Sequence, residues 1–172
     1  KDFFINWNAF WEGHGIMGED GVVVPKEEFL NKLFMRKSGL PILKVPFRDG
    51  TDKPYWNTFY QKVNEDKSFL GQMDVNANSP LVWEFYEETL QKVSDFGCKI
   101  LRLDAFAYLH KEIGQSNFFN KPGTWQYLER IKQIADKNNL TLLPEIHAEY
   151  GLHLHDEVAN ESIQSMTSSY LA

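Results

Sequence analysis

Apolar residues follow two regimes along this chain, irregular up to about Gly71 and periodic beyond it. In the second regime Ser79-Pro80 opens a stretch where Leu81, Val82, Phe85, Tyr86, Leu90 and Val93 recur at spacings of three and four, and Gly97 ends it. That spacing predicts a helix with one apolar stripe. The run Lys99 to Asp104 alternates instead, which predicts a strand. Thr124 then caps a second helix carrying Leu128, Ile131, Ile134 and Ala135, and Leu140 to Glu145 predicts a second strand. Helix, strand, helix, strand in this order is the repeating unit of a parallel α/β fold.

The first regime reads differently. An aromatic start (Phe3, Phe4, Trp7, Phe10, Trp11) runs into a loop with Gly13, Gly15, Gly18 and Gly21. A helix is expected from about Pro25 to Lys37, because Pro25 suits its first position, Glu27 and Glu28 suit the positive end of its dipole, and Gly39 suits its stop. Ile42 to Phe47 and Tyr55 to Tyr60 predict a hairpin joined by a loop containing the turn residues Asp49-Gly50. The expected division is therefore 1–70, a small irregular α+β part, and 71–172, an α/β part.

The chemistry sits at the ends of the two predicted strands. Ile100, Arg102 and Asp104 share one face, opposite Leu101 and Leu103, and Glu145 shares a face with Leu143 and Thr141. Singly, Asp104 reads as a cap of the next segment and Glu145 as a strand-end surface acid. Together with Arg102, two acids at the exits of successive parallel strands have the geometry of a glycosidase. A retaining glycosidase needs an ionised carboxylate to attack the anomeric carbon and a protonated acid for the leaving oxygen, about 5 Å apart. Arg102 would favour the charged form of Asp104, and an apolar setting would favour the neutral form of Glu145.

The stretch Gly97-Cys98-Lys99-Ile100-Leu101-Arg102-Leu103-Asp104-Ala105-Phe106-Ala107-Tyr108 resembles the strand-four motif of the alpha-amylase family. Leu143-Pro144-Glu145-Ile146-His147 is similar to its strand-five motif, and Gln72-Met73-Asp74-Val75-Asn76 to the Gln-x-Asp-x-Asn segment before its third helix. Glu-Ile-His, the wording Ala107-Tyr108-Leu109-His110-Lys111-Glu112, and Tyr55-Trp56-Asn57-Thr58-Phe59 point within it to the sucrose phosphorylase branch. The resemblance implies Asp104 as nucleophile, Glu145 as acid/base, and Arg102 and His147 as substrate-binding residues; for His147 a packing role is the alternative. It also implies a partial TIM (β/α)8 barrel, about strands four and five with flanking helices, with the small α+β part inserted between strand three and helix three. The implied activity is α-glucosyl transfer from sucrose or a related glucoside to phosphate. An α-glucosidase-type hydrolase, or a truncated, non-catalytic sugar-binding barrel, are the alternatives.

Parts of the family pattern have no counterpart in the chain. The early Asn-His motif and the later His-Asp motif are missing, and His155-Asp156 follows Glu145 too closely to stand for the latter. With a complete barrel taking about 250 residues, the 172 residues and the start at Lys1 suggest the middle of a longer enzyme, inactive alone and open to self-association through unpaired barrel edges. In the connection Ala105 to Gly123, Lys111 and Glu112 read as solvated, and Phe118 and Phe119 as packed beneath the loop. Trp56, Phe59 and Tyr60 read as core of the small part, with stacking on a sugar ring as the alternative.

Composition narrows the remaining classes. The net charge of −6 and scattered basic residues give no footprint for nucleic acid, and no apolar run approaches a membrane span. The one cysteine, Cys98, excludes an internal disulfide and suits a reducing, cytoplasmic setting. No cofactor and no metal are expected, since carboxylates carry the reaction and no cluster has metal-ligand spacing; inorganic phosphate is the expected co-substrate of a sugar.

Overall fold

A computed structural model describes residues 2–35, 38–59, 62–63, 68–69, 72–146 and 168–169. Two compact units result, Lys1–Ser79 with Lys111–Phe118, and Pro80–His110 with Phe119–Ala172. The first unit thus runs past Gly71 and takes back a piece of the connection that follows Asp104.

In the second unit the periodic residues do what their spacing asks. Helix α3 (Pro80–Asp95) buries Val82, Trp83 and Leu90, and α4 (Gly123–Lys137) buries Leu128, Ile131, Ile134 and Ala135. These side chains form one core with Phe106, Leu140 and Leu142. Burying each large aliphatic side chain contributes about 1.5–3 kcal/mol. Strands β7 (Ile100–Leu103) and β8 (Thr141–Ile146) pair in parallel with Ile100 opposite Thr141 and Leu103 opposite Pro144. Leu101 and Leu103 pack on the core while Ile100, Arg102 and Asp104 are exposed, so the alternation expected for this strand holds. The ends of the two helices are tied where Ser94 Oγ donates to the carbonyl of Asn138 at 2.6 Å, and the Arg130 guanidinium lies 3.9 Å from the Trp83 ring centroid.

One expectation for this unit needs correction. Thr124 does not cap α4: the helix begins at Gly123 after Pro122, and the Thr124 N–H already donates to the Asn120 carbonyl at 2.8 Å. Gly123 is there because a Cβ at that position would run into the His110 ring. The tail supplies β9 (Ser168–Ser169), paired in parallel with β8. The sheet order is β7-β8-β9, and the described residues close no barrel.

The first unit is built around aromatic rings. Helix α1 (Trp7–Phe10) is capped by Asn6, whose Oδ1 accepts the Ala9 N–H at 3.0 Å. It delivers Trp7 and Trp11 onto Trp56, with ring centroids 4.8 and 6.0 Å away, and Trp7 Nε1 donates to the Val23 carbonyl at 2.7 Å. Two antiparallel hairpins follow, β1 (Gly15–Met17) with β2 (Val23–Pro25) and β3 (Ile42–Pro46) with β4 (Asp52–Trp56). The short pair β5 (Lys62–Val63) and β6 (Ser68–Phe69) is also antiparallel.

Here too the sequence pattern overreaches. The helix expected from Pro25 to Lys37 shrinks to α2 (Glu27–Leu30), because Pro25 is claimed by β2 opposite Gly15 and the Lys26 N–H donates to the His14 carbonyl. The second hairpin begins pairing at Asp52 rather than Tyr55, since its turn is tight. Asp49 Oδ1 accepts both the Thr51 N–H and the Thr51 hydroxyl, at 3.0 and 2.6 Å, and Phe47 N–H donates to the Thr51 carbonyl. Tyr60 lies outside the described residues.

Candidate active site

The parallel register places the end of β7 beside the end of β8, so residues following Leu103 and Pro144 become neighbours. Three of the four candidate side chains meet there. Arg102 Nη2 is 2.8 Å from Glu145 Oε1 and 3.6 Å from Asp104 Oδ1. The two acids differ sharply in setting: the Glu145 side chain is 7% exposed, that of Asp104 74%, and that of Arg102 41%. Glu145 is therefore not a surface acid, but its setting is not the apolar one expected, since Arg102 lies against it. Arg102 makes its shorter contact with Glu145, where the sequence pointed to Asp104 as its partner. A charge removed from water needs such a partner, whereas exposed Asp104 keeps its hydration.

Backbone geometry supports the same corner. Ala105, directly after Asp104, has φ 53, a left-handed conformation uncommon for a residue with a Cβ. The turn it makes lets its N–H donate to Glu145 Oε2 at 3.3 Å, and a buried 3-10 turn, Phe106–Tyr108, follows. Such a conformation costs roughly 1–2 kcal/mol and persists where surrounding structure holds it. His147, the fourth candidate, lies outside the described residues, as does His155-Asp156.

The other candidates separate cleanly. Trp56 is fully buried among Trp7, Trp11 and Phe10, which leaves no face for a sugar ring. Phe118 stacks on Phe34 in the first unit at 5.0 Å, while Phe119 meets Phe106 edge to face in the second at 5.9 Å. Lys111 is not solvated: it is buried, 2.7 Å from Asp74 Oδ2. Sequence reasoning missed this residue because its partner stands far away along the chain; the matching Gln72-Met73-Asp74-Val75-Asn76 segment was the available signal. Among the described residues no group of side chains could hold a metal ion, and no helix is long and apolar enough to cross a membrane.

No protein-family model matches the chain. It is 59% identical over 163 residues to a sucrose 6(F)-phosphate phosphorylase of Ilumatobacter coccineus, covering 93% of this chain and 31% of that protein. This chain is a relative of the sucrose phosphorylases. A sucrose phosphorylase of Streptococcus mutans is 29% identical, over 99% of this chain and 32% of the relative. The crystal structure of sucrose 6F-phosphate phosphorylase from Thermoanaerobacter thermosaccharolyticum superimposes with a TM-score of 0.75 at 29% identity, over 96% of this chain and 30% of that one. These names imply the alpha-amylase family read from the strand motifs. The chain spans about a third of the length of the sucrose phosphorylase relatives it matches.

Proposed function

We propose that the protein carrying this chain transfers an α-glucosyl unit from sucrose or a phosphorylated sucrose to inorganic phosphate, with retention, on a (β/α)8 barrel. The supporting observation is that Arg102 reaches both Asp104 and Glu145 at the ends of adjacent parallel strands. One nitrogen within reach of both acids suits the close spacing of about 5 Å that retaining enzymes use.

In this reading Asp104 is the nucleophile, since its side chain is exposed at the end of its strand. Its carboxylate attacks the anomeric carbon as the bond to the bridging oxygen breaks, and Glu145 gives its proton to the departing fructosyl oxygen. A glucosyl ester on Asp104 results. Phosphate then attacks the same carbon, Glu145 takes back a proton, and glucose 1-phosphate leaves as the carboxylate is regenerated. Arg102 orients both acids, and His147 contacts substrate. The 59% identity to a sucrose 6(F)-phosphate phosphorylase favours the phosphorylated donor.

The test is to incubate the full-length protein with sucrose or its 6(F)-phosphate, with and without phosphate, and to measure glucose 1-phosphate. Phosphate-dependent product is expected, larger with the phosphorylated donor. Free glucose independent of phosphate would instead mark a hydrolase.

A further inference from the structure

Within the second unit the chain leaves β7 through Ala105, whose φ of 53 and ψ of 26 are left-handed. Glycine takes that conformation readily, and a residue with a Cβ seldom does. The turn is held from its far side. The Tyr108 N–H donates to the Ala105 carbonyl at 3.1 Å, the Leu109 N–H to that of Phe106 at 3.0 Å, and the Phe119 N–H to that of Ala107 at 3.0 Å. Phe106, Ala107 and Tyr108 are buried, and Phe106 is part of the core that also holds Leu128 and Leu142. An unfavourable backbone conformation persists only where its surroundings over-determine it in this way, and such conformations cluster at functional sites.

What the left-handed turn delivers is an amide aimed at Glu145. The Ala105 N–H donates to Glu145 Oε2 at 3.3 Å, while Arg102 Nη2 stands 2.8 Å from Oε1. The last torsion of a glutamate side chain is broad and roughly two-fold, so the covalent structure does not choose the plane of its carboxyl. A contact to one oxygen fixes a point, and a second contact to the other oxygen fixes the plane. Proton transfer depends on that plane, because the acid must lie within hydrogen-bond reach of one particular atom.

We propose that Ala105 is a positioning residue for glucosyl transfer, its left-handed backbone directing the N–H that holds the Glu145 carboxyl in the plane from which it gives its proton to the leaving oxygen. The proposal rests on Glu145 being the acid/base. It concerns the proton delivered as the glucosidic bond breaks, and not the attack by Asp104 in the same step.

The experiment deletes the N–H alone. In the full-length protein Ala105 is replaced by lactic acid, which keeps the Cβ and turns the Asp104–Ala105 amide into a backbone ester. Tm is read together with kcat/KM for two donors. One is sucrose or its 6(F)-phosphate, whichever the unmodified protein turns over faster, and its departing oxygen needs a proton. The other is α-glucosyl fluoride, which releases fluoride without one while Asp104 makes the same attack. The backbone ester should lower kcat/KM about 10-fold for the sucrose donor and less than about 2-fold for the fluoride. A loss confined to one donor cannot come from unfolding. Ala105→Gly keeps the N–H and accepts the left-handed backbone, so the ratio of the two donors should stay within about 2-fold of that in the unmodified protein. Equal losses for both donors of the backbone-ester protein, or no loss for either, would overturn the proposal. Absence of transfer from every donor by the unmodified protein would instead remove the reading of Glu145 beneath it, a separate result from the same assay.

Discussion

The two compact units are held together by different physics. The second is an aliphatic layer: Leu128, Ile131, Ile134 and Leu142 fill the space between helices and sheet. The first is a cluster of rings whose loops are tied by side chains bonded to distant backbone. Asn8 binds the Val23 N–H and the Gly21 carbonyl, Asn117 binds both polar groups of Phe34, and Asn76 donates to the Asp2 carbonyl. Where periodic packing defines a fold, the scaffold does not depend on single polar residues, and Arg102, Asp104 and Glu145 stand on that kind of scaffold. Where irregular loops must be held, polar residues are consumed in holding them.

The largest cut across this contrast removes chemistry without touching packing. Asp104→Asn should lower glucosyl transfer by on the order of 10⁴–10⁶-fold with Tm unchanged, because the side chain is 74% exposed; near-normal turnover would remove it from the nucleophile role. Core truncation should then hurt both units. Trp7→Ala in the first and Leu128→Ala in the second should cost about 3–5 and 2–5 kcal/mol in chemical denaturation, as both are buried.

A polar truncation separates the units. Asn117→Ala should cost about 0.5–1.5 kcal/mol, since it removes the part-buried hydrogen bonds of a buried side chain to both backbone groups of Phe34. Equal stability of this variant and the wild type would mean the first unit is held by its rings alone. Ala105→Gly should change stability by less than about 1 kcal/mol, because relief of the left-handed backbone offsets the added freedom of the unfolded chain.

The smallest effect belongs to the β3–β4 turn. Hydrogen bonds from the Thr51 hydroxyl and then its N–H hold the Asp49 carboxyl below its ordinary value of 3.8. A depressed value means the turn gains from ionised Asp49 fully above pH 3.8 and loses that gain as the pH falls through the folded value. Following the Thr51 amide by NMR during acid titration should place its midpoint under 3.8, and Thr51→Val should move it upward.

The contrast also explains what could be read from the chain. Helices α3 and α4 and strands β7 and β8 announce themselves because period-3.6 and period-2 burial leave a local record, and the same alternation put Arg102 and Asp104 on one face. Lys111 left no such record. Its burial depends on Asp74, and the local wording around it looks like any solvated loop. Pro25 misled for a related reason: proline suits both the first turn of a helix and the end of an edge strand, and pairing with Gly15 decided between them. Glu145 is legible from its place at a strand end, but sequence proximity pairs Arg102 with Asp104, whereas the register across two strands brings Arg102 closest to Glu145.

Arg102 has one more consequence for the proposed double displacement. When Asp104 becomes an ester it loses its negative charge, and in the same step Glu145 gives up its proton and acquires one. The charge hops between the two acids, and a single guanidinium already touches both. The three groups sum to zero before and after the hop, so the cation need not relocate as the anion does. In that proposed sequence an incoming phosphate dianion would meet a single carboxylate, Glu145, already paired with Arg102 rather than unpaired.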